Sequence, residues 1–468
     1  MSLVEAHGWG YGGRMDAATT LIIFGATGDL TSRLLLPALG QLLATEPHRR
    51  VRLIGAGIED WADEDLKKVV QKSFAASDSE ASLERVEISY RQSDITKTAD
   101  LKALLKGLSG QVALYFAVPP AVAAAACEAL TPEILPDGVM LALEKPFGTN
   151  EQSAHALNAR LAELVPEKQV FRVDHFLGKS TTLNVLGARF ANRLLEPLWS
   201  AESIDAVDVI YNEKLGLEGR AGYYDHAGAF VDMIQSHLLQ VLAVVAMEQP
   251  ATLDETDFRE ATSAVLRATT VWGDDPVSSS RRARYTAGAV DGVQKPSYVD
   301  EPGVDPKRAT ETLAEATFEI HNARWAGVPF TLRSGKALSD PVREVVVRFK
   351  PVRHVPVGLT GSAAGAILRF YLAPDEMSLE LNLNGADDPF VLERATLSAD
   401  LGAGQLLAYA EVLSGILDGD PLLSVRADAA EQCWRILQPV LDAWSRGEVP
   451  LEEYDAGSRG PDGWPVRR

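Results

Sequence analysis

The sequence predicts an α/β plus α+β protein: a doubly wound parallel sheet, then a domain with a large, mainly antiparallel sheet and helices. Three observations predict it. Short apolar runs alternate with helical patterns through the first third of the chain. A glycine-containing turn joins the first apolar run to the first helix. After about residue 175 the strand-like runs follow one another without helical crossovers.

Residues 21–24 (LIIF) read as a buried strand, with a helix-like stretch through Leu43 after the turn. The strand signal recurs at 51–54, 86–90, 113–118, 139–143 and 170–173. Strands separated by helical segments pair in parallel, with helices on the faces of the sheet. Further on, 206–211, 329–333, 344–349, 367–372 and 377–383 are strand-like, the last three linked through short Pro- or Gly-containing connections. Such links favour an antiparallel meander. Helices are expected around 229–247, 404–418 and 427–446, and the Pro-, Gly- and charge-rich stretch 274–310 reads as a long ordered loop or excursion.

A chain of 468 residues, 46% of them hydrophobic and 24% charged, is long enough for two or three domains with large cores. The 45 Lys and Arg against 65 Asp and Glu leave a net charge of −20, which argues against nucleic-acid or anionic-membrane surfaces. An anionic ligand would need cations concentrated at one site. Cys127 and Cys433 supply neither a disulfide framework nor a metal cluster and fit a reducing compartment. Residues 1–18 lack the apolar core of a signal peptide, and the uncharged stretch from 112 to 127 is broken by Pro119-Pro120. The expected location is the cytoplasm.

Gly25-Ala26-Thr27-Gly28-Asp29-Leu30 lies between the first strand and the first helix. Glycines there let the backbone approach a pyrophosphate at a helix N-terminus. The G-x-x-G spacing falls short of the full dinucleotide fingerprint, and an ordinary strand-to-helix turn reads the same way. Its position makes residues 19–174 a Rossmann-like dinucleotide-binding domain, after a tail of 1–18 and before a substrate-binding and oligomerisation domain of 175–468. The second strand ends in Ile58-Glu59-Asp60 with no cation, which favours NAD over a coenzyme with a 2′-phosphate. Those two acids also read as a solvated loop or a helix cap.

Three further segments carry candidate chemistry. Glu144-Lys145-Pro146-Phe147-Gly148 ends the fifth strand, at the edge where such sheets bind ligands. Asp174-His175-Phe176-Leu177-Gly178-Lys179 follows the strand at 170–173, and its His175 and Lys179 are a candidate phosphate-holding pair. His237 shares helical spacing with Phe230, Met233, Ile234, Val241 and Val244 on an apolar face. That pattern suits a core histidine. Next to a carboxylate it also suits a base held near working pH.

Together these segments resemble the glucose-6-phosphate dehydrogenase family. The matching stretches are GATGDL (25–30), EKPFG (144–148), RVDHFLGK (172–179), EGRAGYYD (218–225), DMIQSHLLQ (232–240), NARWAGVPFTLRSGKAL (322–338) and YDAGSRGP (454–461). They run in the family's order over almost the whole chain. The resemblance implies oxidation of glucose 6-phosphate at C1 to the lactone, with hydride passing to NADP or NAD and without a metal. It makes His237 the base for the C1 hydroxyl and Asp174 its hydrogen-bonding partner. Lys145 would lie between sugar and nicotinamide, followed by a cis proline at Pro146. His175 and Lys179 would hold the 6-phosphate; Glu213, Asp232 and Lys336 would bind the sugar. Gly25, Thr27, Gly28 and Leu30 would form the coenzyme turn with Lys145 nearby, and the large sheet would build a homodimer or homotetramer.

The chain departs from the family pattern at several positions. Phe176 stands in place of a phosphate-binding Tyr, Leu34 of a Lys on the first helix, and Ile58 of the Arg that binds a 2′-phosphate. Pro341 replaces a second substrate-side cation, for which Arg343 is a nearby substitute. Two other readings compete. The glucose–fructose oxidoreductase and inositol dehydrogenase group shares the Glu-Lys-Pro motif but acts on unphosphorylated sugars, against which the His175/Lys179 pair speaks. A catalytically silent regulatory paralogue would have lost Asp174, His237 or Lys145, and all three are present.

Overall fold

The computed structural model describes residues 19–402, 404 and 406–464, so the expected tail 1–18 lies outside the described residues. Six parallel strands open the chain: β1 (Thr19–Phe24), β2 (Val51–Gly57), β3 (Val86–Gln92), β4 (Val112–Phe116), β5 (Met140–Glu144) and β6 (Val170–Val173). Their order is β3-β2-β1-β4-β5-β6, the doubly wound arrangement whose direction reverses between β1 and β4. Every residue of β1 and β4 is buried, as strands covered by helices on both faces require. Their apolar side chains are what made this sheet visible in the sequence.

The second sheet has eleven strands, introduced in chain order: β7 (Ile204–Asn212), β8 (Thr269–Val271) and β9 (Ser280–Thr286). A separate hairpin, β10 (Gly288–Val290) and β11 (Val293–Lys295), precedes β12 (Leu313–Ile320), β13 (Phe330–Gly335), β14 (Arg343–Phe349) and β15 (Thr360–Gly361). Then come β16 (Ile367–Leu372), β17 (Asp375–Asn384), β18 (Val391–Asp400), β19 (Ser424–Val425) and β20 (Leu451–Asp455). The large sheet runs β15-β18-β17-β16-β14-β7-β13-β12-β9-β20, with β8 on β12. Strands β14, β16 and β17 form the expected antiparallel meander, whereas β7 runs parallel to β13 and antiparallel to β14.

Two expectations are corrected. The stretch 274–310 is not only a loop, because β9 lies within it. Arg281, Arg282 and Arg284 hide that strand from a hydrophobicity pattern although Ala283 and Tyr285 are fully buried. The second correction concerns the chain's late segments, which do not all stay with the second sheet. β19 pairs antiparallel with β6 and becomes the seventh strand of the first sheet. Just before it, helix Ala408–Asp418 buries Leu413, Ile416 and Leu417 in a core shared with Leu36, Leu39 and Leu43.

A helical run, Ala221–Ala246, passes through the main core and carries Asp232 and His237. It is long and apolar enough to cross a membrane by composition, but 89% of its apolar window is buried inside the protein. The helix is broken at Gly228 (φ 64°), and Phe230–Leu238 winds as a π-helix. Wide turns of this kind occur often at functional sites. Its residues join the apolar sides of both sheets in one continuous core, so a site on this helix sits at the seam between them.

Candidate active site

The site collects at the carboxyl ends of the parallel strands. The turn after β1 begins at Gly25, whose φ of +78° and closeness to Ala117 leave no room for a side chain: a Cβ would lie 2.3 Å from the Ala117 carbonyl oxygen. The Gly28 N–H donates to the Gly25 carbonyl at 3.0 Å, and the Thr31 hydroxyl to the same carbonyl at 3.0 Å. Thr27, Gly28 and Leu30 thus belong to a tight turn opening into the first helix, at the β1–β4 reversal where dinucleotides bind in such folds. Leu34, on that helix, is exposed and brings no charge.

Lys145 follows β5, and its peptide bond to Pro146 is cis. Its ammonium donates to the Asp232 carbonyl at 2.5 Å and to the Asp232 carboxylate at 3.0 Å. Burial by itself would lower the Lys145 pKa, but Asp232 overcomes this and holds it above the ordinary lysine value. Asp232 in turn is held below the usual carboxylate range, against its burial, by Lys145 and Lys336. Glu213 and Lys336 meet through sheet register. Strands β7 and β13 are parallel neighbours with Asn212 opposite Gly335, so the next residue on each emerges at the same end. Their side chains pair at 2.6 Å.

Asp174 and His237 form the deepest pair, 0% and 2% exposed. The His237 Nδ1–H donates to Asp174 Oδ1 at 2.5 Å, and the Phe176 backbone N–H donates to the same oxygen at 3.0 Å. This bond fixes the tautomer and leaves the Nε2 lone pair for a substrate proton. Burial lowers the His237 pKa, with Asp174 partly opposing, so the ring is neutral at neutral pH. Asp174 stays ionised because His237 outweighs the effect of burial.

His175 stacks on Tyr409 (5.1 Å between centroids, 15°) and meets His237 edge-on at 4.6 Å. Its pKa is driven well below normal by burial and by His237. The Lys179 ammonium lies 4.0 Å from the Phe176 ring centroid and 4.9 Å from that of Tyr211. Burial, then Arg343, brings its pKa down to about 8. Phe176 cannot offer a hydroxyl, but it does other work: its buried ring stacks on His237 at 4.3 Å and 16°. Asp174, His175 and His237 offer donor atoms within 4.8 Å of one another. His237 Nδ1 and Asp174 Oδ1 are bonded to each other, and the positive charge of Lys145 nearby opposes adding a cation.

Of two further neighbours, Glu144 stood in the EKPFG motif without a role and Tyr409 escaped the sequence reading. Glu144 accepts a hydrogen bond from the Tyr115 hydroxyl at 2.6 Å, and burial pushes its pKa up to about 7. Tyr409 arrives from the returning helix Ala408–Asp418, so no local motif points to it.

A doubly wound coenzyme sheet, a buried carboxylate–imidazole pair and clustered lysines at the seam define a nicotinamide-dependent oxidoreductase for an anionic, hydroxyl-bearing substrate. Residues 22–184 match the glucose-6-phosphate dehydrogenase NAD binding domain, and residues 186–464 match the C-terminal domain of the same family. Glucose-6-phosphate 1-dehydrogenase of Gluconobacter oxydans is 38% identical over 94% of each chain, and that of Treponema pallidum 35% identical over 94% of this chain and 92% of its own. A solved glucose-6-phosphate dehydrogenase in complex with glucose 6-phosphate superposes with a TM-score of 0.84 at 30% identity, covering 96% of each chain. The chain belongs to the glucose-6-phosphate dehydrogenase family.

Proposed function

We infer that the protein oxidises D-glucose 6-phosphate at C1 to 6-phospho-D-glucono-1,5-lactone with NAD or NADP as acceptor, the first step of the oxidative pentose phosphate pathway. The observation that carries this reading is the Asp174–His237 pair set beside a lysine, Lys179, that has no carboxylate within ion-pair distance among the described residues. His237 takes the C1 hydroxyl proton on Nε2, and Asp174 stabilises the imidazolium that results. The coenzyme, when bound, accepts the C1 hydride; Gly25, Thr27, Gly28, Leu30 and Lys145 are the residues proposed to hold it. His175 and Lys179 face the 6-phosphate, and Glu213, Asp232 and Lys336 bind the sugar hydroxyls. The Lys145–Asp232 and Lys336–Glu213 pairs supply those hydroxyls with donors and acceptors. We further propose a cytoplasmic homodimer or homotetramer, joined through outer strands β17 and β18, which expose Leu383 and Leu397, with Phe390 exposed on the loop between them.

The direct test is the rate of coenzyme reduction with glucose 6-phosphate and with glucose. Lys179→Ala should raise KM for glucose 6-phosphate strongly and leave free glucose, which has no anion to hold, little changed. Equal losses on both sugars would make Lys179 structural and reopen the reading of an unphosphorylated substrate.

For the coenzyme, NAD is favoured at the end of β2. Glu59 turns its carboxylate back so far that a Cβ on Gly57 would lie 2.6 Å from Oε2, which puts an acceptor where a ribose 2′-hydroxyl is bound in such folds. Arg33 is paired with Asp29 at 3.0 Å, and Arg91, opposite Ala56 at the carboxyl end of β2, with Asp63 at 3.6 Å. Either would have to leave a carboxylate to reach a 2′-phosphate, while Arg49, Arg50 and Arg52 stand at the other end of β2. Ile58 is 70% exposed, so Ile58→Arg can add the missing cation without disturbing packing. It should shift the kcat/KM ratio toward NADP by about tenfold, equivalent to ~1.4 kcal/mol. A wild-type preference for NADP above about tenfold would overturn the assignment to NAD.

A further inference from the structure

We propose that Glu311, two residues before β12, is a positioning residue for the reaction: it fixes the start of the helix Phe230–Leu238 and, through that helix, the placement of His237 against C1 of the sugar. The proposal rests on the site reading above, in which His237 is the base. It starts from the break at Gly228 (φ 64°, ψ 178°), where the chain leaves one helix and enters the next. N–H groups just beyond such a break lose the carbonyls of the preceding turn and need other acceptors. Ala229 precedes the new helix, and its side chain offers none. Glu311 provides two. Its backbone carbonyl accepts from the Ala229 N–H at 3.2 Å, and its carboxylate Oε1 accepts from the Phe230 N–H at 3.0 Å. A carboxylate there also complements the positive end of the helix. Any side chain at residue 228 would overlap this carboxylate, so Gly228 and Glu311 form one joint.

The cost of this arrangement says that it does more than begin a helix. Glu311 is buried, and burial pushes its pKa up to about 7. A serine or asparagine at residue 229 would cap the helix without burying an acid. Such a cap cannot tie the helix to a neighbouring element, and the tripeptide Thr310-Glu311-Thr312 does so on three sides. The Thr310 hydroxyl donates to the Asp225 carbonyl at 2.6 Å, in the helix before the break. Glu311 holds the helix after it. The Thr312 carbonyl accepts from the Lys336 N–H at 2.9 Å. Asp232 lies in the first turn of the held helix and His237 in its last. The approach to β12 therefore sets the base and two proposed sugar ligands, Asp232 and Lys336, in one frame. Precision matters here, because a misplacement of about 1 Å at the reacting centre can cost roughly 10²-fold in rate.

Steady-state kinetics of Glu311→Ala, Glu311→Asp and Glu311→Gln test the assignment, with kcat normalised to the folded fraction of each preparation and with hydrogen or deuterium at C1 of glucose 6-phosphate. Glu311→Ala should lower kcat about 10- to 100-fold, the range of a displaced catalytic group. Its deuterium isotope effect on kcat should rise, because a misplaced base slows the step that breaks the C1–H bond. The dissociation constant for glucose 6-phosphate should stay within about threefold of wild type, since Lys179 and Glu213 stand on other elements. Glu311→Gln keeps an acceptor for the Phe230 N–H and should recover most of kcat. Glu311→Asp keeps the charge but draws the acceptor back, and should fall between the two; it carries the test if Glu311→Ala does not fold. Wild-type kcat and isotope effect in Glu311→Ala and Glu311→Asp, or a loss that vanishes on normalisation, overturn the proposal while His237→Asn is inactive. If His237→Asn also keeps its kcat, the site reading fails with it. A Glu311→Gln enzyme as slow as Glu311→Ala overturns the proposal too, because the retained acceptor would then not be what places the helix.

Discussion

Replacing His237 with asparagine is expected to lower kcat by roughly 10²–10⁴-fold or more while leaving glucose 6-phosphate binding measurable. The side chain is 2% exposed, and asparagine is polar and only slightly smaller, so the pocket keeps its shape. What disappears is the lone pair proposed to receive the hydroxyl proton. Binding should persist because Lys179, Lys336 and Glu213 lie on other elements. Rapid-mixing turnover together with equilibrium titration of the sugar phosphate separates the two. A variant whose kcat stays within about threefold of wild type would remove His237 from the reaction, being far short of a general-base contribution. The wild-type pH profile gives a companion check. Burial lowers the His237 pKa, so kcat/KM should hold as pH falls through the ordinary imidazole range and decline only below it.

Asp174→Asn should produce the second-largest loss, on the order of 10²–10⁴-fold in kcat. The carboxylate accepts the Nδ1–H of His237; a carboxamide can instead present its own N–H, which favours the tautomer with its proton on Nε2 and removes the base. It also withdraws the negative charge that stabilises the imidazolium. The sign of the pH effect is diagnostic. Asp174 raises the His237 pKa against burial, so its neutralisation should move the acid limb of kcat/KM to lower pH as the plateau falls. An acid limb that moved toward higher pH, or a plateau at wild-type height, would show that the pair does not act as described.

The parallel sheet was legible because strands covered on both faces must be apolar along their length, and residues 170–173 coincide with β6. Lys145, Asp174, His175 and Lys179 were legible because each follows a strand at its carboxyl end. Their partners were not. Asp174 and His237 are 63 residues apart, Lys145 and Asp232 87, and nothing local says that they meet. Glu213 and Lys336 are joined only by the register of two strands. The π-helical winding of Phe230–Leu238 leaves no mark, since over nine residues its apolar spacing reads like that of an α-helix. The resemblance to a family supplied these roles where periodicity could not.

The strand contributed late to the coenzyme sheet bears on how the protein is made. Synthesis is vectorial, and residues up to Val173 leave the ribosome with the outer edge of β6 bare. At roughly 5–20 residues per second, that edge waits some tens of seconds for Ser424 and Val425. The face later covered by Leu413, Ile416 and Leu417 is uncovered for the same interval. The nascent coenzyme half therefore passes through a sticky stage, in which an unpaired β edge and an apolar patch are offered together to any neighbouring chain. The helix that covers this apolar face also brings Tyr409 to His175, so protection of the sheet and completion of the candidate site arrive in a single docking event.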